Sequence, residues 1–243
     1  MDLAGAADIS ARHLSCVETG KAQPGREVVI RIAETLEIPL RDRNALLIAA
    51  GYAPIYPETA LATSQLAEVR RAIDLLLAQQ EPFPASVLDR HWNIVWSNTG
   101  FDRLVAHVLG GRPSKHANMI RQIFDREDVG RIIVNWEEVA GAVIGNLQHA
   151  LAATPGDAEG HALVAEVLAY PGVPTRWRQL DVAQAPSPLL TTVMHDGEGE
   201  LSFFSTITTF AMPRDVTLDE LRIECCFPTD ARTRTACEAL GRG

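Results

Sequence analysis

The chain has 243 residues, a formal net charge of −9 and an apolar fraction of 47%, which suffices for one large domain or two small ones. It has no N-terminal basic-then-apolar signal and no apolar run of membrane-spanning length, so we expect a cytoplasmic protein without membrane contacts. The acidic balance argues against a broadly basic surface for nucleic acid, but residues 1–57 hold six basic and seven acidic side chains. Any nucleic-acid contact is therefore expected in that nearly neutral part.

Residues 1–53 predict short helices only. Ser10 can cap a helix that runs to Glu18, and a turn over residues 19–25 precedes a helix from Arg26 to Leu36. Pro39 can open a fourth helix. The proline-rich stretch 52–63 reads as a linker. We therefore expect a small domain at 1–56, a linker at 57–63 and a second domain at 64–243.

The second domain begins with a long amphipathic helix from Ser64 to about Glu81. Two strands are predicted next, at Ala85–Leu88 and Trp92–Trp96, and Ser97 or Asn98 can cap the helix that follows. This order of strand, tight turn, strand, asparagine and helix resembles the beginning of a PAS domain.

The middle of the chain is predicted to be helical, with a short helix at 118–124, a long helix from about Arg126 to Ala153 and another at 159–170. Three strands follow, at 189–195, from Leu201 onward and at 221–227, and the first two are joined by a glycine-rich hairpin turn at 196–200. Both faces of the strand after Leu201 carry large apolar groups, which is typical of a strand inside a sheet. The predicted fold class is α+β.

Residues that usually carry catalysis or bind metals form no recognisable pattern here. The seven histidines include no pair at i, i+4 spacing, so no metal site is predicted. Cys225 and Cys226 are strand neighbours that point to opposite faces, which disfavours a disulfide. Glu137 and Glu138 diverge by about 100° on a helix, and Ser187 lies between two prolines without an evident base. With no nucleotide-binding or hydrolase fingerprint, we expect neither an enzyme nor a resident cofactor.

The stretch SARHLSCVETGKAQPGREVVIRIAETLEIP resembles the C-terminal part of a helix-turn-helix domain of the XRE/Cro repressor type. The resemblance implies that the helix after Ser10 is the recognition helix, which enters the major groove. It implies base contacts by Ala11, Arg12 and Ser15 and phosphate contacts by Lys21 and Arg26. Only residues 2–7 stand where that family has one helix and most of a second, so we expect either a truncated domain or a start assigned too late. DNA binding by this chain therefore does not follow from the resemblance alone.

Residues 64–240 resemble the ligand-binding domain of MmyB-like transcription regulators, through VLDRHWNIVWSN, NMIRQIFD, NWEEVAGAV, GELSFFSTITTFAMPRDVTLDELRIECCFP and TDARTRTACEAL. The resemblance implies a bacterial regulator built from the all-helical remnant of a helix-turn-helix domain and a PAS-like domain with an antiparallel sheet and flanking helices. It also implies a small apolar, fatty-acid-like ligand held between the sheet and the helices.

The four tryptophans all lie in the second domain, where a sheet and helices that both present large aromatics can enclose a cavity. We expect the pocket walls to include Trp96, Phe101, Trp136 and Phe203, while ordinary core packing is the favoured alternative for any single one of them. For a ligand carboxylate, the candidate donors beside apolar runs are Asn118, Arg121 and Arg176. Exposed arginines paired with protein carboxylates are the alternative for the two arginines.

The function expected from these features is ligand-controlled binding to a DNA operator by a homodimer. The ligand binds one conformation of the second domain better than another, and this difference alters DNA affinity. The alternative is an interaction module that only dimerises, through the helix from Ser64 or the sheet edge, and has no physiological ligand.

Overall fold

The computed structural model describes residues 3–179 and 189–242, so Ser187 lies outside the described residues. Within those ranges the chain forms eleven α-helices: α1 (Leu3–Ala6), α2 (Ala11–Glu18), α3 (Arg26–Thr35), α4 (Leu40–Ala49), α5 (Ala67–Gln80), α6 (Thr99–Val108), α7 (Met119–Phe124), α8 (Trp136–Ala153), α9 (Ala158–Val167), α10 (Val216–Glu220) and α11 (Ala231–Arg242). The strands are β1 (Ala85–Leu88), β2 (Ile94–Ser97), β3 (Thr191–His195), β4 (Glu200–Thr208) and β5 (Arg222–Pro228). No helix in the described ranges is long and apolar enough to span a bilayer.

The chain divides into two compact units. Unit 1 contains the residues up to Glu68 together with Phe210–Glu220, and unit 2 contains Val69–Thr209 and the residues from Leu221 onward. Unit 1 is all-helical and has a small apolar core made by Ala4, Ala7, Val29, Ala33, Leu40, Leu47, Leu66 and Val216. The segment that joins β4 to β5 therefore belongs to unit 1, although both strands belong to unit 2.

Unit 2 is built on one antiparallel sheet with the strand order β2-β1-β5-β4-β3. Strand β5 is central and pairs with both β1 and β4, and Asp196–Gly199 closes the hairpin between β3 and β4. Gly197 has a φ of 93°, a conformation that glycine adopts without a steric penalty. The α+β architecture predicted from the sequence is confirmed.

One asparagine side chain in unit 2 both caps a helix and positions a strand. The Asn98 side chain accepts a hydrogen bond from the Phe101 N–H at 2.9 Å, which caps α6, and it also accepts one from the Ala85 N–H at 2.9 Å. Its amide donates to the Phe83 carbonyl at 2.8 Å. One buried side chain thus begins a helix and fixes the start of β1, as N-cap chemistry allows.

Two predicted elements were wrong in their bounds. The long helix begins at Trp136 and not at Arg126, because the buried Asp128 carboxylate binds the Arg112 guanidinium and the Lys115 N–H, each at 3.0 Å, and holds the preceding chain in an irregular path. Gly130 approaches Ile123 so closely that a Cβ would lie 2.3 Å from the Ile123 carbonyl oxygen. These long-range contacts override local helix propensity.

The second correction concerns Trp92, which lies before β2 and not within it. Its φ is 65°, and its N–H donates to the Asp89 carbonyl at 3.0 Å. The Asp89 carboxylate accepts from the N–H groups of His91 and Asn93 at 2.8 and 2.9 Å. An aspartate that bonds the backbone two and four residues on extends the turn, so β2 begins only at Ile94.

Candidate functional site

An aromatic cluster lies where α7, α8 and the 3-10 turn Thr175–Arg178 meet. Phe124 and Trp136 pack edge to face with ring centroids 6.1 Å apart, and Trp177 lies 5.4 Å from Trp136. The Trp177 ring also covers Gly141 of α8, where a Cβ would lie 3.3 Å from it. Phe124 is fully buried and Trp136 is 6% exposed. The cluster is a fixed apolar wall in unit 2.

Hydrogen bonds fix the orientation of Trp136 and of the helix that it begins. Its indole N–H donates to the Ile123 carbonyl at 2.8 Å, which satisfies a buried polar group. Asn135, at the N-cap position of α8, donates to the Thr191 carbonyl at 2.7 Å and accepts from the Val193 N–H at 3.0 Å. The first turn of α8 is therefore tied to β3.

A cleft of about 440 Å³ opens beside this first turn. It is lined by Arg126, Ile133, Val134, Asn135, Trp136, Glu137, Glu138 and Gly172. The Arg126 guanidinium lies 4.7 Å from the centroid of the Trp136 ring, within cation–π range, and donates to the Gly130 carbonyl at 2.8 Å. The lining combines the Arg126 guanidinium and the Trp136 ring with two carboxylates, Glu137 and Glu138. Arg126 is the cation among these lining residues that an anionic group would meet.

Sequence reasoning did not select Arg126. It was placed within the predicted long helix, where a residue ten positions before Trp136 would lie almost three turns away. The irregular path over 125–135 brings the two side chains together instead. No local pattern marks this pairing, because it depends on the buried contacts of Asp128.

The structure places two of the four predicted wall residues in one core. Trp136 and Phe203 belong to the same buried cluster, and Phe203 is 2% exposed on β4. Trp96 pairs with Val87, Val87 pairs with Ile223, and Ile223 pairs with Thr208. This row of partners lies on the face of the sheet opposite Phe203. Phe101 is partly buried in the first turn of α6.

The three predicted polar contacts already have protein partners. Asn118 caps α7 by accepting from the Arg121 N–H at 3.1 Å, and its amide donates to the His91 carbonyl at 2.8 Å. Arg121 donates two 2.8 Å hydrogen bonds to the Glu166 carboxylate, and Arg176 donates one of 2.8 Å to Glu137. Both arginines are therefore paired with protein carboxylates, which was the alternative to a ligand contact. Asn118 caps a helix and bonds the backbone of the preceding turn.

The Arg121–Glu166 pair extends to Tyr170, whose hydroxyl donates to Glu166 at 2.8 Å. The hydrogen bond from Arg121 lowers the pKa of the Glu166 carboxyl, although burial opposes this shift. Burial, together with Glu166, raises the pKa of Tyr170 to about 12. Glu166 is therefore ionised and Tyr170 neutral near pH 7, which keeps this link between α7 and α9 intact.

The central strand β5 carries an acidic group on the face that includes Phe203. Strand alternation and the pairing register place Glu224 and Cys226 on that face, with Ser205 and Ile207 opposite them on β4. Burial raises the pKa of Glu224, opposed by a hydrogen bond from Ser205, and burial also raises the pKa of the Cys226 thiol. Burial thus favours the neutral form of both groups over the charged form.

The five residues predicted to contact DNA are all exposed in unit 1. The Ser10 hydroxyl accepts from the His13 N–H at 3.1 Å and caps α2, which carries three of the five at i, i+1 and i+4 spacing. Within residues 3–179 and 189–242, no ion pair involves the cations of the set, namely Arg12, Lys21 and Arg26.

In the comparison with protein families, residues 69–240 match the model for the MmyB-like transcription regulator ligand binding domain. No curated protein matches the chain. Among solved structures, an RNA-binding Light-Oxygen-Voltage receptor is 12% identical with a TM-score of 0.27, and the match covers 98% of this chain and 60% of that one.

Proposed function

This chain belongs to the MmyB-like transcription regulators through its ligand-binding domain, and from that premise we propose that it is a regulator whose unit 2 binds a fatty-acid-like molecule and thereby alters DNA binding by unit 1. The observation that carries the proposal is the family match over residues 69–240, which extends across nearly all of unit 2. Binding and release of ligand need no covalent step, so the proposal describes a binding protein of the cytoplasm and not an enzyme.

In this proposal the hydrocarbon chain of the ligand packs against the buried core that contains Trp136 and Phe203. The ligand carboxylate meets Arg126 at the cleft, since Arg121 and Arg176 already bind protein carboxylates. Each buried methylene contributes about 0.8 kcal/mol, so affinity should rise about fourfold per added methylene until the cleft is full.

Mass spectra of the full chain, native and then denatured, test for a ligand carried through purification. Titration with octanoate to hexadecanoate, followed by tryptophan fluorescence, then measures affinity against chain length. Arg126→Gln should weaken fatty-acid binding by about tenfold or more and leave binding of the matching fatty alcohol unchanged, because a charge-assisted hydrogen bond is lost. The matched control is Arg131→Gln, because Arg131 is exposed and is not among the residues that line the cleft, and this variant should bind as the wild type does.

Absence of binding for every chain length would contradict the proposed ligand class. Equal losses for the acid and the alcohol in Arg126→Gln would contradict the proposed carboxylate contact, since the residue would then act through packing. A dissociation constant independent of chain length would place the hydrocarbon chain outside the core.

For DNA, the proposal assigns base contacts to Ala11, Arg12 and Ser15 and phosphate contacts to Lys21 and Arg26. DNA fragments selected by the full chain from a random pool supply the operator. Lys21→Gln should lower affinity for all sequences and reduce the salt slope by about one, whereas Arg12→Gln should relax sequence preference. Arg31, which already pairs with Asp8 at 3.4 Å, is the control position. Failure to enrich any sequence would contradict this part of the proposal.

A homodimer is part of the proposal, and one observation favours α5 as its contact. Leu75 is 66% exposed and Leu76 is 38% exposed on this helix, whereas Ile73 and Leu77 are buried. Apolar side chains exposed next to each other often mark a protein interface. If the chain only dimerises and has no ligand, native spectra should show an empty dimer that no fatty acid changes.

A further inference from the structure

The connection between β4 and β5 contains an eleven-residue segment, Phe210–Glu220, which we name the arm. The arm starts and ends at the two paired strands, whose ladder runs from Phe203 to Thr208 on β4. By its contacts, however, the arm is part of unit 1. The arm therefore links the end of the β4–β5 ladder in unit 2 covalently to residues of the helical unit.

The arm caps α4 across a long separation in sequence. Proline occupies the N-cap position of α4 at Pro39 and offers no side-chain hydrogen bond. The Asp219 carboxylate accepts from the Leu40 N–H at 2.8 Å instead, from 179 residues further along the chain. A carboxylate at a helix N-terminus satisfies an unpaired N–H and also interacts favourably with the helix dipole.

A bidentate pair between Arg41 and Glu220, which we call the arginine fork, strengthens the contact between the arm and α4. Arg41 donates to both oxygens of Glu220, through Nε at 2.6 Å and Nη2 at 3.0 Å. Its Nη1 donates to Glu58 of the linker at 3.1 Å. The hydrogen bonds that Arg41 donates to Glu220 and, to a smaller extent, to Glu58 raise the pKa of Arg41. Bidentate pairs of this kind fix orientation as well as distance.

The arm also holds the linker that precedes α5. The Val216 N–H donates to the Pro57 carbonyl at 2.8 Å, and the Asp215 carboxylate accepts from the Thr59 N–H at 3.2 Å. The Val216 side chain is 1% exposed, so the contact includes a buried apolar anchor. Backbone, charge and packing thus attach one short segment to α4 and to the linker.

We propose that the arm transmits the ligand state of unit 2 to α4, so that a change in the β4–β5 ladder alters the DNA-binding helices. The response to ligand rests on the proposed function. The coupling of α4 to the β4–β5 ladder through the arm, which we call the link, does not. Both covalent ends of the arm join the strands of the ladder, and its residues Asp219 and Glu220 accept hydrogen bonds from Leu40 and Arg41 of α4. A segment that is attached to two elements in this way can bias one of them when the other changes its conformation.

The test separates the link from simple stabilisation of α4. Asp219→Ala with Glu220→Gln removes the cap and weakens the fork, and Pro39→Asp added to these restores a local cap without the arm. Arg43→Gln is the matched control on the same helix, since Arg43 donates to the Ile38 carbonyl at 2.6 Å and has no hydrogen bond to the arm. Hydrogen exchange of full-length protein is measured by mass spectrometry on peptides from α4 and from the β4–β5 ladder.

Without ligand, the variant that carries Pro39→Asp, Asp219→Ala and Glu220→Gln should show α4 exchange near that of the wild type. Its ladder end at Thr208 and Ile223 should exchange about 5- to 30-fold faster. Arg43→Gln should change exchange in α4 and leave the ladder unchanged. Unchanged ladder exchange in the triple variant would overturn the link whether or not any ligand binds.

With tetradecanoate as the probe, wild-type protein should change exchange in both the ladder and α4, and the triple variant in the ladder alone. An α4 response that persists in the triple variant would overturn the arm as the route. If tetradecanoate changes neither fluorescence nor ladder exchange, the proposed ligand class fails, and the ligand-free comparison still decides the link. The two failures are therefore distinguishable.

Discussion

Replacing Trp136 by alanine should destabilise unit 2 by about 3–5 kcal/mol, the usual cost of truncating a buried tryptophan. The residue is 6% exposed and contacts Phe124, Trp177 and the Arg126 guanidinium. Its loss leaves a cavity and removes the hydrogen bond to Ile123. At about 2–4 °C per kcal/mol for a unit of this size, Tm should fall by about 6–20 °C.

Urea unfolding of the full chain, followed by circular dichroism and by the remaining tryptophans, measures this loss. Trp136→Phe keeps a ring but removes the indole N–H, so it should cost about 1–3 kcal/mol by leaving the Ile123 carbonyl unpaired. Trp96, partly buried on the opposite face of the sheet, is the control position, and its truncation should cost less. A loss under about 1 kcal/mol for Trp136→Ala, with an unchanged urea slope, would refute the view of Trp136 as a packed wall.

Three further predictions concern charge, close packing and assembly. Burial raises the pKa of Glu224 in the folded protein above its pKa in the unfolded chain. The folded state is therefore penalised as pH rises above the unfolded-chain pKa, and this penalty is absent at low pH. Glu224→Gln should raise Tm at pH 7, and the gain should vanish near pH 3. A gain that is the same at both pH values would show that titration is not the cause. Gly130→Ala should cost about 1–3 kcal/mol in urea unfolding, because its Cβ would lie 2.3 Å from the Ile123 carbonyl oxygen, whereas Gly145→Ala has open space and should stabilise α8 by about 0.5–1 kcal/mol. Equal effects at the two glycines would contradict the close approach. Leu75→Glu should shift the native mass from dimer to monomer, and an unchanged dimer would exclude this face of α5.

Local sequence signals predicted the elements whose determinants lie within a few residues. Asn98 and Asn118 each cap the helix that follows by accepting from the N–H three residues on. The helical spacing of apolar residues in α8 and the large apolar residues on both faces of the strand after Leu201 were visible in the sequence. These features need only short-range geometry, so a single stretch of sequence contains them.

The functional side chains were harder to predict, because their partners are distant in sequence. Arg121 pairs with Glu166, which lies 45 residues further along the chain. Arg126 reaches the Trp136 ring because the contacts of Asp128 and Gly130 prevent the helix that was predicted over 126–135. An arginine beside an apolar run has the same local sequence whether it meets a ligand or a protein carboxylate. Burial and charge pairing in the folded chain decide between them.

The sequence by itself determined the fold class, most helix starts, the hairpin before β4 and, through its motifs, the resemblance to a regulator family. Only the tertiary structure decided the strand order, the face on which Trp96 and Phe203 lie and the assignment of Phe210–Glu220 to the helical unit. Caps, turns and periodicity are set by neighbouring residues. Strand register and ion pairs such as Arg41–Glu220 join residues far apart in the chain, and their free energy exists only once the chain has folded.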